Sequence, residues 1–207
     1  MKKFTIHTGT IVPINIMNID TDIIIPKQFL KKTTKIGFGK NLFYNWRFLN
    51  NQKNKINKKF ILNNKVYKDS SILITGKNFG CGSSREHAVW ALIDYGFKVI
   101  IASKFSDIFY NNSINNNLLL ITLTEKTVQK IISSIKKNEN NTCIVNLIKQ
   151  KIIIKNIKYT FEINKNYRLK LLYGLDNIDL TFKYIKNIIN YEKNNQPKYL
   201  ENRKLYS

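Results

Sequence analysis

An α/β fold built on a parallel sheet with flanking helices is what this chain predicts, from three observations. Short, β-rich apolar runs recur at residues 71–75, 98–102 and 118–123. Between them fall residues 85–95, closed by Gly96, and residues 105–110, both with the length and composition of helices. Strand–helix–strand–helix–strand order requires crossover connections, and crossovers join parallel strands covered by helices.

The other elements follow along the chain. Residues 4–14 alternate irregularly around Gly9 and Pro13 and read as an opening strand pair. Asn18-Ile19-Asp20-Thr21-Asp22 then forms a polar turn, ended by Ile23-Ile24-Ile25-Pro26. Residues 28–48 carry Gly37, Gly39, Phe43, Tyr44, Trp46 and Phe48, too aromatic for a disordered loop and too irregular for a long helix, and are expected to pack on the domain. Residues 50–59 read as a polar surface loop. Residues 125–137 form an amphipathic helix, with Thr124 as N-cap, Val128, Ile131, Ile132 and Ile135 on one face, and Lys136-Lys137 at the end its dipole favours. Residues 142–148, 151–154 and 159–163 give three further strand signals, and residues 166–173 and 180–192 read as helices.

At 207 residues and 43% hydrophobic content the chain is long enough to bury one core. With only 8 Gly and 3 Pro, no linker divides it, so one domain over residues 1–193 and a polar tail over 194–207 are expected. The first residues lack a secretory signal and no run of about 18 apolar residues could span a bilayer, which points to the cytoplasm. Cys81 and Cys143, far apart in sequence, agree with a reducing compartment, a disulfide between them being the alternative. The formal charge of +22 would suit a nucleic acid or an acidic membrane if it were concentrated on one face. The lysines are instead scattered among Asn and Ile, so neither partner is expected.

The stretch that carries chemistry is Asn78-Phe79-Gly80-Cys81-Gly82-Ser83-Ser84-Arg85-Glu86-His87-Ala88, between a strand and a helix. Gly80 and Gly82 let the backbone turn sharply and approach a ligand, and Ser83 and Ser84 fall in the N-cap region, where free amides and the helix dipole favour an anion. Arg85 adds a planar donor fork for a carboxylate, and a charge-assisted hydrogen bond of roughly 1.5–3 kcal/mol outweighs the roughly 0.3–1 kcal/mol of an exposed helix terminus. Glu86 and His87 are placed to brace the loop or the arginine. Each residue has a plainer role as well: a serine cap, an Arg–Glu surface pair, a hydrogen-bonded structural histidine, and Cys81 as a small packing group. No Lys-Ser/Thr pair follows the glycines and their spacing is not G-x-G-x-x-G, which disfavours NTP and NAD. The dispersed Cys and His residues argue against a zinc site or a cluster held by this chain alone.

The string from Gly80 to His87 resembles the signature of the swivel domain of the aconitase superfamily, and the longer string from Asn78 to Ala88 is similar to the isopropylmalate-specific form found in bacterial small subunits. Asn18-Ile19-Asp20-Thr21-Asp22 with Ile24-Ile25-Pro26-Lys27-Gln28-Phe29-Leu30 matches as well, as do Gly37-Phe38-Gly39, Leu42-Phe43, Trp46-Arg47-Phe48-Leu49, Asp94-Tyr95-Gly96-Phe97-Lys98-Val99-Ile100 and Gly174-Leu175-Asp176. The resemblance runs from the first strand to about Glu192, with Asp179 standing where the pattern has a small residue. It implies the swivelling β/β/α form of the α/β fold and a heteromer with a large subunit that holds a [4Fe-4S] cluster. The implied reaction is the interconversion of 2-isopropylmalate and 3-isopropylmalate, both dicarboxylates, by dehydration and rehydration in leucine biosynthesis. A sister hydro-lyase acting on homoaconitate or citraconate is the alternative.

Carried over by position, the resemblance makes Ser83 the proton-abstracting serine. Ser84 lines the site, Arg85 binds a substrate carboxylate, and Asp22 is the acidic residue behind them, with Glu86 and His87 in support. No cofactor is implied on this chain. Ile24, Ile25 and Leu30 are the candidates for an apolar wall facing the isopropyl group. Lowering a hydroxyl from near the pKa of water, about 15.7, to about 8 needs roughly 10 kcal/mol. A helix terminus supplies at most about 2 kcal/mol, so the serine becomes a base only in a completed, water-poor site, and the isolated chain is expected to be inactive.

Overall fold

The computed structural model describes residues 3–31, 34–51, 55–135 and 141–195, and the chain groups into two compact units, 1–174 and 175–207. The expected tail over 194–207 lies largely outside the described residues, as do Lys136 and Lys137. No helix among the described residues is long and apolar enough to cross a membrane.

The first unit is organised on a seven-stranded sheet in the order β4-β3-β2-β1-β5-β6-β7. Its strands are β1 (Ile6–Ile14), β2 (Ile72–Thr75), β3 (Val99–Ala102), β4 (Leu119–Thr122), β5 (Thr142–Asn146), β6 (Lys151–Ile154) and β7 (Ile157–Thr160). The helices are α1 (Thr21–Ile24), α2 (Tyr44–Arg47), α3 (Glu86–Tyr95), α4 (Asp107–Asn115), α5 (Glu125–Ser134) and α6 (Lys165–Tyr173). Strands β1 to β4 run parallel, as the alternation with helices predicts, while β5 to β7 form an antiparallel meander. The fold is thus α/β with a mixed sheet.

Burial explains why the parallel strands read as unbroken apolar runs. Leu73, Ile100, Ala102 and Leu120 point into one core beneath α3 and α4, whereas Ile72, Ile74, Val99, Ile101, Leu119 and Ile121 point into a second core shared with α5, α6 and the meander. A strand covered on both faces has no polar side to alternate with. The α5 helix begins at its Thr124 cap and turns Val128 and Ile131 inward, as the pattern predicts. The β6–β7 hairpin turns at Lys155 and Asn156, both at positive φ (48° and 65°), the backbone that a two-residue turn needs to match strand twist.

The opening strand pair predicted over residues 4–14 is a correction: β1 is one continuous strand. Its first half, Ile6 to Thr10, pairs antiparallel with β5, and its second half, Ile11 to Ile14, pairs parallel with β2. Ile11 donates to Asn141 on the β5 side, so Pro13, two residues on, turns its ring nitrogen to that same side, beyond the residues that β1 pairs with β5. The aromatic segment packs as expected. Phe38, Leu42 and Phe43 have no exposed surface, and the Asp94 carboxylate accepts from Gly37 N and Gly39 N at 3.1 and 2.7 Å, fastening the segment to α3.

The second unit holds α7 (Asn177–Thr181) and α8 (Ile185–Asn194). Asp179, the departure from the family pattern, has a use there: Asp176 accepts from Asp179 N while the Asp179 carboxylate accepts from Asp176 N, a reciprocal capping box.

A Cβ at Gly9 would lie 2.0 Å from Ser71 Oγ, and that hydroxyl is bonded to His7 Nε2 at 2.7 Å. Gly9→Ala is therefore expected to cost about 1–3 kcal/mol through overpacking between β1 and β2. In denaturant unfolding the Gly9→Ala/Ser71→Ala pair should lose less than the sum of its single variants, because the second change removes the clashing oxygen.

Candidate active site

The glycine loop leaves the C-terminal end of β2 and is held between two neighbours. On one side, the segment after β1 runs beside it: Asn18 N donates to Lys77 O, Gly80 N to Ile19 O and Thr21 N to Cys81 O, at 2.8–3.0 Å. Thr21 Oγ1 adds a 2.8 Å bond to Ser83 O. On the other side, the segment after β3 exchanges Phe79 N to Lys104 O and Ser106 N to Phe79 O, both 3.1 Å, and Ser106 Oγ donates to Gly80 O at 2.5 Å. The loop can take this path because Gly80 adopts φ 74° with its Cα hydrogen against the Phe109 ring, where a Cβ would come within 2.3 Å. Only glycine combines that backbone region with that approach.

Ser83 and Ser84 stand exposed at the crest of the loop. The N-cap position of α3 is Arg85, in extended conformation and without a side-chain cap bond, which corrects the expectation that a serine caps this helix. The two hydroxyls are thereby left clear of the helix and open to a ligand.

Arg85 is only 7% exposed and its fork is filled. Nη1 and Nη2 donate to the two Asp22 carboxylate oxygens at 2.5 and 2.7 Å, and Nη1 also reaches Ile25 O at 3.4 Å. Asp22 is presented by α1, a single helical turn whose Asp20 cap accepts from Ile23 N. Hydrogen bonding to Arg85 pulls the Asp22 carboxyl below its ordinary value of 3.8; burial opposes this, and the charges of Arg85 and Lys27 add to it. The arrangement thus brings together Asp22, Ser83, Ser84 and Arg85, four of the residues expected at the site.

The other expected residues lie elsewhere. Glu86 accepts from Asn116 Nδ2 at 2.6 Å, tying α3 to the end of α4 rather than bracing the arginine. His87 packs between the rings of Phe38 and Trp90. Ile24 and Ile25 are a correction: both are fully buried in the core under α1, because the helical turn directs them inward, and neither offers surface to a substrate. Leu30 is half-buried at the rim. Thr21, Ser106 and Asn116 hold the loop and its helix without having been singled out. Ser106 precedes Asp107 in a capping pattern that was readable, whereas Asn116 gave no local signal.

Cys81 and Cys143 are both free. Burial pushes the Cys143 thiol up to about 12, and burial with the nearby Asp20 carboxylate raises that of Cys81. Among the described residues no three His, Cys, Asp or Glu side chains are grouped as metal ligands.

A mixed sheet with a clamped glycine loop at the C-terminal ends of its parallel strands is matched by known proteins. The model of the aconitase C-terminal domain family matches residues 1–126, which span β1 to β4 and the whole loop, so the chain carries an aconitase C-terminal domain. The crystal structure of a 3-isopropylmalate dehydratase from Methanocaldococcus jannaschii superposes with a TM-score of 0.63 at 27% identity, over 91% of this chain and 99% of that one. Two curated relatives are named 3-isopropylmalate dehydratase small subunit. That of Buchnera aphidicola subsp. Pterocomma populeum is 58% identical over 93% of each chain, and that of subsp. Baizongia pistaciae is 55% identical over 93% of this chain and 96% of its own. The chain belongs to the family of 3-isopropylmalate dehydratase small subunits.

Asp22→Asn removes the charge that Arg85 is built around. The expected cost at neutral pH is about 1–2 kcal/mol, below that of a fully enclosed pair because Asp22 is half exposed. A carboxyl whose folded pKa is depressed stabilises above its unfolded pKa and loses that contribution as pH falls through the folded one. The stability gap between wild type and variant, followed by denaturant titration, should hold down to about pH 4 and close below it.

Proposed function

We propose that this chain is the small subunit of a 3-isopropylmalate dehydratase, a hydro-lyase of leucine biosynthesis, and that it contributes the proton-transfer half of a site shared with a large subunit. The observation that carries this reading is the pairing of exposed Ser83 and Ser84 hydroxyls with a buried, ion-paired arginine on a loop fixed from both sides. Such a loop presents hydroxyl groups at a defined position without enclosing them.

In this reading Ser83 takes the proton from the carbon beside a substrate carboxylate and returns one in the reverse sense, and Ser84 orients the dicarboxylate. A substrate carboxylate takes the place of Asp22 on the Arg85 fork, Asp22 being the partner of the pair whose side chain is half exposed. Leu30 is the remaining candidate for contact with the isopropyl group. A cluster on the large subunit would supply Lewis acidity toward the substrate hydroxyl, and this chain's part is to hold and move the proton at Ser83 Oγ. Water exclusion is equally shared, for an open serine cannot reach the roughly 10 kcal/mol needed to act as a base at neutral pH.

The test is anaerobic assay of 2-isopropylmalate turnover with the reconstituted pair. Ser83→Ala is expected to lower kcat by about 10²–10⁴-fold, the range of a lost general base, with assembly intact. Undiminished turnover would remove Ser83 from the mechanism. The isolated chain should show no turnover at all, and activity without a partner would contradict the shared site.

A further inference from the structure

We propose that the large subunit seats on an exposed apolar surface formed by Ile16, Met17, Ile56 and the Trp46–Phe60 pair, beside the glycine loop. The proposal rests on the reading of this chain as a small subunit and adds where and by what chemistry the partner binds.

Ile16 and Met17 follow β1 and sit directly on the start of the loop. Gly76 N and Thr75 Oγ1 both donate to Ile16 O, and a Cβ at Gly76 would meet that oxygen at 2.6 Å. From there the segments 16–21 and 76–83 run side by side, through Asn18 and Asn78, then Asp20 and Cys81, to Thr21 on Ser83. Met17, 59% exposed, stays open at one end of this seam while the serines stay exposed at the other, and Ile56, 55% exposed, immediately precedes Asn57, which faces Ile16 across the recess described below.

Five residues of extended chain reach at most about 17 Å. A standard interface covers about 800 Å² on each partner, a disc roughly 32 Å across. A chain that closes over Ser83 therefore reaches the apolar surface within one footprint.

The surface is also built as a platform. Trp46 stacks on Phe43 at 5.5 Å and meets Phe60 edge-on at 5.6 Å, while Asn57 Nδ2 donates to Trp46 O at 2.8 Å and Asn63 Nδ2 to Arg47 O at 2.7 Å. Between Ile16, Trp46, Asn57 and Phe60 lies a recess of about 310 Å³, large enough for one apolar side chain. Lys59 lines it, and Lys55 and Lys58, close in the chain to Asn57 of its wall, stand exposed. An apolar anchor with a rim of carboxylates is the partner chemistry this combination fits, apolar core and charged rim being the usual division of an interface.

Met17→Glu and Ile56→Glu test the surface, with Ile6→Glu, equally exposed at the opposite end of β1, as the control. Binding to the large subunit is read by calorimetry and by turnover against small-subunit concentration. Each glutamate variant is expected to weaken assembly at least tenfold while turnover at saturation stays near wild type, and Ile6→Glu to bind unchanged. Should a glutamate variant unfold, Met17→Ser carries the same expectation at about threefold. Folded variants that assemble with wild-type affinity would overturn the proposed surface and leave the enzymatic reading standing. A wild-type chain that pairs with no large subunit would instead overturn that reading.

Discussion

A guanidinium with almost no exposed surface cannot remain unpaired, and the bond from Arg85 to Asp22 is what reconciles it with its surroundings. The two residues come from segments that the chain separates widely, one just after β1 and the other just before α3. Joining them sets the position of α1 and fixes where the glycine loop ends. The backbone bonds between residues 18–21 and 77–81, with the Thr21 hydroxyl on Ser83 O, then have no freedom in register, and the serines are delivered to one place.

The sheet decides where that place is. Parallel strands covered on both faces leave only their ends accessible, and the loops after β1, β2 and β3 leave from the same C-terminal edge. Among the described residues the meander of β5 to β7 contributes no loop to the site. It widens the second core, into which β1 turns Ile11 while Val12 and Ile14 face the first.

Much of this was legible in the chain itself. The parallel strands and the helices between them announced themselves by apolar runs and by length, and the glycine–serine–arginine string stood out against a sequence poor in glycine. What could not be read was long-range. Whether β1 was one strand or two depended on a change of partner, from β5 to β2, that leaves no mark on local alternation. Ile23, Ile24 and Ile25 looked alike in sequence, yet a single helical turn sends Ile24 and Ile25 into the core and leaves Ile23 only partly covered. Arg85 was recognisable as an anion binder, but the anion it holds is the chain's own Asp22, found only when the two segments are folded together.

The divided allegiance of β1 bears on how the chain can come off the ribosome. Its later half finds β2 about sixty residues downstream, so a parallel nucleus with β3 and β4 is available early in synthesis, whereas Ile6 to Thr10 await β5, roughly twice as far along. Until then that half-strand is a bare edge with unanswered amides and carbonyls, the kind of surface on which nascent chains snag one another. His7 and Thr8 there, together with Lys3 shortly before the strand, give the waiting edge a polar and cationic character that discourages such pairing.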